Sequence, residues 1–305
     1  MTQPPDDFDP PIGDAVNLSE GVRRIVAPNP SPMTYRGTNT YLVGTHDLAV
    51  IDPGPASEAH LSAILQAIEP GQRISHVFVT HSHLDHSPLA KPLSEATGAP
   101  VLAFGGPDAG RSPVMQDLAA SGLAGGGEGI DLTFRPDRAL GDGERVEGDG
   151  WALDVIHTPG HLGNHIALAW DDICFTADHV MGWATSLVSP PDGDLTDFMA
   201  SCRRLQAQAW SVFHPGHGAP ITAPADRLDW LIAHRLGRES EILTHLANGP
   251  ATVPQLTDRI YKDVPKALLP AAERNVFAHL VDLIGRSIVH CTPSLSVTAT
   301  FSRTD

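Results

Sequence analysis

Cysteine is scarce in this chain: three residues, at positions 174, 202 and 291, with no CxxC pair. An odd, widely spaced set supports neither a disulfide framework nor a thiolate zinc cluster, so a reduced, cytoplasmic setting is expected. Long apolar runs are missing as well, which argues against a membrane-spanning helix. The first nine residues are acidic and contain proline. They have neither the apolar stretch of a secretory leader nor the arginines of a transit peptide. Positive charge is in short supply, with 20 Lys or Arg against 36 Asp or Glu and a net charge of −16. Loose, salt-driven binding to RNA is disfavoured on that balance. No internal repeat is visible.

What is present fits two domains. At 305 residues and 32.4 kDa the chain exceeds one typical domain and has ample material for a core. Up to residue 226, short apolar strands alternate with helices expected over 57–68, 87–97 and 195–208. That alternation predicts an α/β sandwich built on mixed sheets. A glycine-rich stretch over 105–129 is expected to be a flexible loop carrying a helix over 114–120 and bordering the substrate cleft. From residue 227 the pattern turns helical, over 227–247, 253–261 and 266–284. Short strands at 288–290 and 294–301 complete a winged-helix-like module, so the expected domains are 1–226 and 227–305. The second carries 9 Lys or Arg against 8 Asp or Glu. A DNA-gripping winged helix should show a basic face, so no DNA is expected. The module is read instead as covering the cleft, shaping the substrate pocket or supporting a homodimer, with Arg235 and Arg238 as the arginines that could meet a phosphate.

The chemistry is concentrated in Thr80-His81-Ser82-His83-Leu84-Asp85-His86, after an apolar strand over 74–79. In an extended or turning segment His81 and His83 can point the same way and grip one metal, while Asp85 and His86 turn toward a second. Zinc accepts both nitrogen and carboxylate oxygen. Downstream, a strand over 151–156 leads to His157-Thr158-Pro159-Gly160-His161, whose Pro-Gly turn presents His161. A strand from 173 closes on Asp178, and Val212-Phe213-His214-Pro215-Gly216-His217 repeats the strand, Pro-Gly, His design. His165 and His179 are candidates for contact with the ligating groups or the substrate, or for plain packing. His157 and His214 are expected to be buried and hydrogen-bonded, and His234 to pair with nearby acids. Asp52, before Pro53-Gly54, is read as support for the metal loop or as a turn former, not as a ligand.

An HxHxDH run, a later Gly-His, an Asp closing a strand and a final Gly-His resemble the metallo-β-lactamase-fold hydrolases. That resemblance implies an αββα sandwich of two mixed sheets. It also implies a dinuclear centre in which His81, His83 and His161 hold one metal, Asp85, His86 and His217 hold the other, and Asp178 bridges them. All seven positions are filled, and His83 stands where flavodiiron relatives carry glutamate. A finer resemblance, to the β-lactamase-like protein 2 subgroup, rests on several stretches. They are the opening hairpin from Asn29-Pro30-Ser31-Pro32 through Gly37-Thr38-Asn39-Thr40, Ser189-Pro190-Pro191-Asp192-Gly193-Asp194, and His234-Arg235-xx-Arg238-Glu239. Tyr261-Lys262-Asp263-Val264-Pro265 and Ala271-Ala272-Glu273-Arg274-Asn275-Val276-xx-His279-Leu280 complete the match. Leu162 stands where relatives usually have Thr, and Ala177 where they often have Gly.

Two Zn2+ ions about 3.5–4 Å apart would lower the pKa of a shared water toward neutrality. The resulting hydroxide would attack an ester or thioester carbonyl of a small acyl substrate, with Asp85 and Asp178 as the catalytic carboxylates. Manganese or iron would tolerate the same donors. The alternative is an endoribonuclease on single-stranded RNA, because the subgroup includes such an enzyme. A winged-helix regulator is the third reading, and the full ligand set and neutral module speak against it.

Overall fold

The computed structural model describes residues 8–126, 129–262, 265 and 268–304. Residues 1–7, Gly127 and Glu128 of the glycine-rich stretch, Asp263 and Val264 of the C-terminal motif, and the helix start expected at 266–267 lie outside the described residues. One sheet contains Val16–Ser19 (β1), Val22–Val26 (β2), Asn39–Val43 (β3), Asp47–Ile51 (β4), Arg73–Phe78 (β5), Val101–Ala103 (β6) and Arg138–Ala139 (β7), in that order. Its pairings are antiparallel from β1 to β4 and parallel from β4 to β7. The second sheet contains Arg145–Gly148 (β8), Trp151–His157 (β9), Ile166–Trp170 (β10), Ile173–Ala177 (β11) and Val212–Pro215 (β12). It is antiparallel except for the parallel β11–β12 pair.

Side-chain alternation fixes how the layers stack. On β3, Tyr41 and Val43 join Phe78, Trp151, Leu153 and Phe175 in a core between the sheets. Leu42 points the other way, into a core with Ile64 of helix Glu58–Gln66 (α1) and Leu93 of helix Ala90–Thr97 (α2). Helix Pro113–Ala120 (α3) belongs elsewhere. On β10, Leu168 faces the first sheet, whereas Ala167 and Ala169 pack toward helices Leu195–Gln206 (α4) and Pro224–Leu246 (α5) through Phe198 and Leu228. The result is the expected αββα sandwich. Each large apolar side chain buried this way contributes about 1.5–3 kcal/mol. A slip of one residue would turn both sets out of their cores, so the register is firmly set.

Strand direction then places the site. Strands β9, β11 and β12 run the same way, with β10 reversed between the first two. Their C-terminal ends therefore share one edge, where an α/β sheet characteristically binds its ligand.

The C-terminal module comprises Ala251–Thr252 (β13), Val253–Ile260 (α6), Leu269–Gly285 (α7), Val289–Thr292 (β14) and Thr300–Arg303 (β15), with strand order β13-β15-β14. Together with α5 this is a winged helix. Three expectations need correction. The strand foreseen over 294–301 is β15, which starts only at Thr300, because the stretch after Pro293 turns back through a bond from the Ala299 N–H to the Ser296 carbonyl. Helix α2 begins at Ala90 because residues 87–89 form a turn closed by the Ala90 N–H on the Ser87 carbonyl. The glycine-rich stretch is anchored at α3, whose Met115 and Leu118 are buried in the C-terminal core with Leu256, Phe277 and Phe301. Among the described residues, no helix is long and apolar enough to cross a membrane.

Candidate metal centre

The loops at the ends of β5, β9, β11 and β12 bring all seven histidine and aspartate side chains together. His81, His83, His161 and Asp178 form one buried group, with their candidate donor atoms within 4.8 Å of one another. Asp85, His86, His217 and Asp178 form a second group on the same criterion. In the first, His83 Nδ1 stands 3.0 Å from His81 Nε2 and 3.0 Å from His161 Nε2. Nitrogen donors about 2.0–2.1 Å from a tetrahedral zinc stand roughly 3.3 Å apart, so this convergence suits a cation. In the second, His217 Nε2 lies 3.1 Å from Asp85 Oδ2, and His86 Nε2 lies 3.4 Å from it. Asp178 faces both groups. Its Oδ2 is 3.6 Å from His161 Nε2, and its Oδ1 is 3.3 Å from His217 Nε2.

The fit to metal ions is tested by what these atoms lack. Asp85 Oδ1 and Asp178 Oδ1 are buried and have no hydrogen-bond partner. A buried, unsatisfied carboxylate oxygen is costly, and a cation or the water such a cation binds is the partner that removes the cost. Electrostatics agree. Burial, then neighbouring histidines, hold His81 well below its ordinary pKa and His83 down at about 3, which leaves neutral imidazoles with free lone pairs. At His217 burial pulls the pKa down, but Asp178 and Asp85 outweigh it and push the group up to about 10. Burial alone would raise Asp178, yet His217 and His86 hold it well below the carboxylate range. The pocket is built to concentrate positive charge beside two carboxylates.

The far nitrogens of His81, His86, His161 and His217 are held too, which orients a ligating histidine and raises its basicity. His161 Nδ1 meets the Leu187 carbonyl at 2.7 Å, and His217 Nδ1 the Gly37 carbonyl at 3.2 Å. Asp52 does more than turn the chain. Its Oδ1 accepts the Thr80 N–H at 2.8 Å, and its Oδ2 is 2.8 Å from both Thr80 Oγ1 and His86 Nδ1. Thr80 Oγ1 lies 2.9 Å from His81 Nδ1, so one carboxylate orients a histidine of each group. Asn39, from the opening hairpin, clamps the last loop by donating to the carbonyls of Pro215 and Gly218, both at 2.9 Å.

One small position keeps the centre open. Gly216 is pinned on both sides, its N–H on the Ala177 carbonyl and its own carbonyl on the Asn39 N–H. A β-carbon there would press on Asp178 Oδ1 and stand 2.8 Å from His86 Cε1. Gly216→Ala should therefore displace the donors, cutting metal content and lowering kcat/KM by about 10²-fold or more. Metal analysis alongside kinetics checks this. Ala177, where relatives often carry Gly, sits at φ 42°, the left-handed region glycine favours.

Other expectations fare unevenly. His165 bonds Thr158 Oγ1 through Nδ1 at 2.8 Å, and His179 packs on Phe198 with Nε2 3.5 Å from Cys202 Sγ. Both are fully buried and neither lines the cavity; His165 packs against the His81 ring, with centroids 5.1 Å apart, so it contacts a candidate ligand, whereas His179 packs in the apolar core. His157 bonds the Gly163 carbonyl as expected. His214 is buried between Tyr41 and Phe175 with neither ring nitrogen hydrogen-bonded, because its strand position turns it into aromatic packing. His234 stacks on Trp230 instead of pairing with an acid. Arg235 and Arg238 are not poised for phosphate. Arg235 is 4% exposed and donates to Asn275 and the Ser186 carbonyl, while Arg238 lies over Tyr261 and pairs with Glu241.

Beside the two groups opens a cavity of about 390 Å³. The sandwich contributes Met33, Met181, Trp183 and Leu187, and the C-terminal module contributes Tyr261, Leu268, Ala271, Ala272 and Asn275. Trp183 is braced by stacking on Tyr35, with ring centroids 4.8 Å apart. None of the described residues over 105–129 lines this cavity, contrary to expectation, because α3 is spent on the C-terminal core. The sequence did not mark Ala271, Ala272 and Asn275 as site residues, although all three lie in the Ala271-Ala272-Glu273-Arg274-Asn275 stretch that carries the subgroup resemblance.

A family model described as the metallo-beta-lactamase superfamily matches residues 33–229. The chain belongs to that superfamily. A second model, the beta-lactamase associated winged helix domain, matches residues 252–289. This metallo-beta-lactamase-fold protein is 32% identical over 280 residues to a beta-lactamase-like protein 2 homolog of Drosophila melanogaster, covering 87% of this chain and 88% of the relative. It is 33% identical over 244 residues to the atrochrysone carboxyl ACP thioesterase AgnL7 of Paecilomyces divaricatus, covering 78% and 68%. A beta-lactamase domain protein from Burkholderia ambifaria has the same fold, with a TM-score of 0.80, 22% identity and coverage of 99% and 97%. Superfamily membership and the clustered donors make the chain a metal-dependent hydrolase that uses divalent ions.

Proposed function

We propose that this hydrolase holds two zinc ions and cleaves the ester or thioester bond of a small acyl substrate. The observation that carries the reading is the cavity wall. Among the described residues it includes no lysine or arginine, and its lining beyond the metal centre is dominated by aliphatic, alanine and aromatic side chains. Its volume falls in the range of small-molecule sites, about 300–1,000 Å³. RNA would require cations along its backbone, and Arg235 is buried, Arg238 is paired with Glu241, and Arg227 is spent on the carbonyls of Met181 and Ala184. The thioesterase named among the relatives supports acyl chemistry. The division of the chain at residue 226, and a cytoplasmic setting in keeping with free thiols at Cys174 and Cys202, belong to the same reading.

In this reading His81, His83 and His161 hold one ion, Asp85, His86 and His217 hold the other, and Asp178 lies between them. The bound ions supply polarisation of the carbonyl and acidification of water. Asp85 Oδ1, buried and without a partner, accepts a hydrogen bond from the attacking water and fixes its direction. Met181, Trp183 and Leu187 keep bulk water from the acyl chain. Hydrolysis breaks the acyl C–S or C–O bond, adding hydroxyl to the acyl carbon and a proton to the leaving group.

The test is parallel turnover of acyl-thioesters, lactones and a short fluorogenic RNA, with chelated protein as the blank. Thioester hydrolysis should vanish on chelation and return with zinc, and metal analysis of protein purified without chelator should give about two zinc ions per chain. RNA cleavage without acyl turnover would overturn the reading, and a content of iron alone would redirect the mechanism.

A further inference from the structure

We propose that Asn275 selects the acyl chain by donating its amide N–H to an oxygen carried on that chain, so that keto- or hydroxy-substituted acyl groups are preferred over saturated ones. The inference rests on the acyl-hydrolase reading above.

Helix α7 contributes Ala271, Ala272 and Asn275 to the cavity, and the amide is the polar group among them. Its orientation is fixed. The Arg235 guanidinium donates from Nη1 to Asn275 Oδ1 at 3.0 Å. Arginine has no acceptor, so the amide oxygen must face it and the nitrogen must face away. One hydrogen on that nitrogen goes to the Ala271 carbonyl at 3.2 Å. The other has no acceptor among the described residues, and Asn275 lines the cavity, so we assign this N–H to the cavity side. Arg235 is itself locked, because Nη2 donates to the Ser186 carbonyl at 2.5 Å. The Ser186 hydroxyl in turn shares its one hydrogen between the carbonyls of Asp178 and His179. The amide is thereby tied to the segment that carries Asp178, and the donor is preorganised relative to the scissile bond.

A saturated chain laid against that N–H would strip its water and offer nothing back. An oxygen at the same place satisfies it. Sites built to hydrogen-bond a substrate group discriminate against analogues lacking the group, here by about 10- to 100-fold.

The test uses zinc-loaded full-length protein and N-acetylcysteamine thioesters of hexanoate, 3-oxohexanoate and 5-oxohexanoate. Matching non-hydrolysable thioethers are titrated by calorimetry. The wild type should favour one oxo chain over hexanoyl by about tenfold or more in kcat/KM and in affinity. Asn275→Leu, and the isosteric Asn275→Asp, which keeps the acceptor for Arg235 and removes the donor, should each bring the ratio to within about twofold of unity. Equal treatment of all three chains by the wild type, or a preference that survives in both variants, overturns the proposal. Thioether discrimination that Asn275→Leu abolishes, with no thioester turnover, would support selection by Asn275 while sinking the hydrolytic reading.

Discussion

Asp178→Ala should lower kcat/KM for a hydrolysable acyl-thioester by about 10³-fold or more, the scale of losing a group that stabilises developing charge. The reason lies in its position. Oδ1 serves His86 and His217, while Oδ2 faces His81 and His161. Among the described residues, no other carboxylate comes within 4.0 Å of histidines from both groups. Loss of that carboxylate removes the link between the two donor groups and half of the negative charge contributed by Asp85 and Asp178. Metal content should fall from about two ions per chain to one or fewer, with far-ultraviolet circular dichroism unchanged. The fold should survive because Asp178 contributes to no apolar core and its backbone remains held by Ser186. Turnover within tenfold of wild type, with two ions still bound, would sink the assignment of this residue.

Asp52→Ala should have the second-largest effect, and mainly on folding. The carboxylate is 2% exposed and accepts from the Thr80 N–H, the Thr80 hydroxyl and His86 Nδ1. Stranding buried donors costs about 1–3 kcal/mol each, so a loss of roughly 3–5 kcal/mol is expected in urea unfolding. Asp52→Asn separates structure from function. Asparagine tolerates the φ of 51° at this position and can still accept the Thr80 N–H. Its amide nitrogen cannot accept from His86, so His86 must take the other tautomer and place its proton on Nε2, the atom that faces Asp85, Asp178 and His217. This variant should unfold within about 2 kcal/mol of wild type yet bind added zinc at the His86 group about 10- to 100-fold more weakly. Unchanged zinc affinity would show that tautomer control by Asp52 is not what prepares His86.

The contrast between Asp52 and Asn275 explains what could be read in advance. The seven donors were legible because each stands at the end of an apolar strand, where a histidine or aspartate has no packing purpose. The layer order came with the family resemblance, since strands such as β2 and β3 are buried on both faces and by themselves imply only an α/β sandwich. The role of Asp52 stayed divided between turn and support, because an Asp before Pro-Gly satisfies either. Asn275 was not legible as a site residue, since nothing local marks which face of a helix a distant loop will meet. The anchoring of α3 was hidden for a related reason. Met115 and Leu118 look like an ordinary apolar pair, and only the fold supplies the C-terminal core that receives them.

The cavity draws its reactive side from one module and much of its selecting side from the other. Changes confined to α7 could therefore retrain a descendant enzyme on new clients while leaving its reaction inherited intact. Diversification by such a route would leave the early histidine run unaltered and concentrate its marks near Asn275.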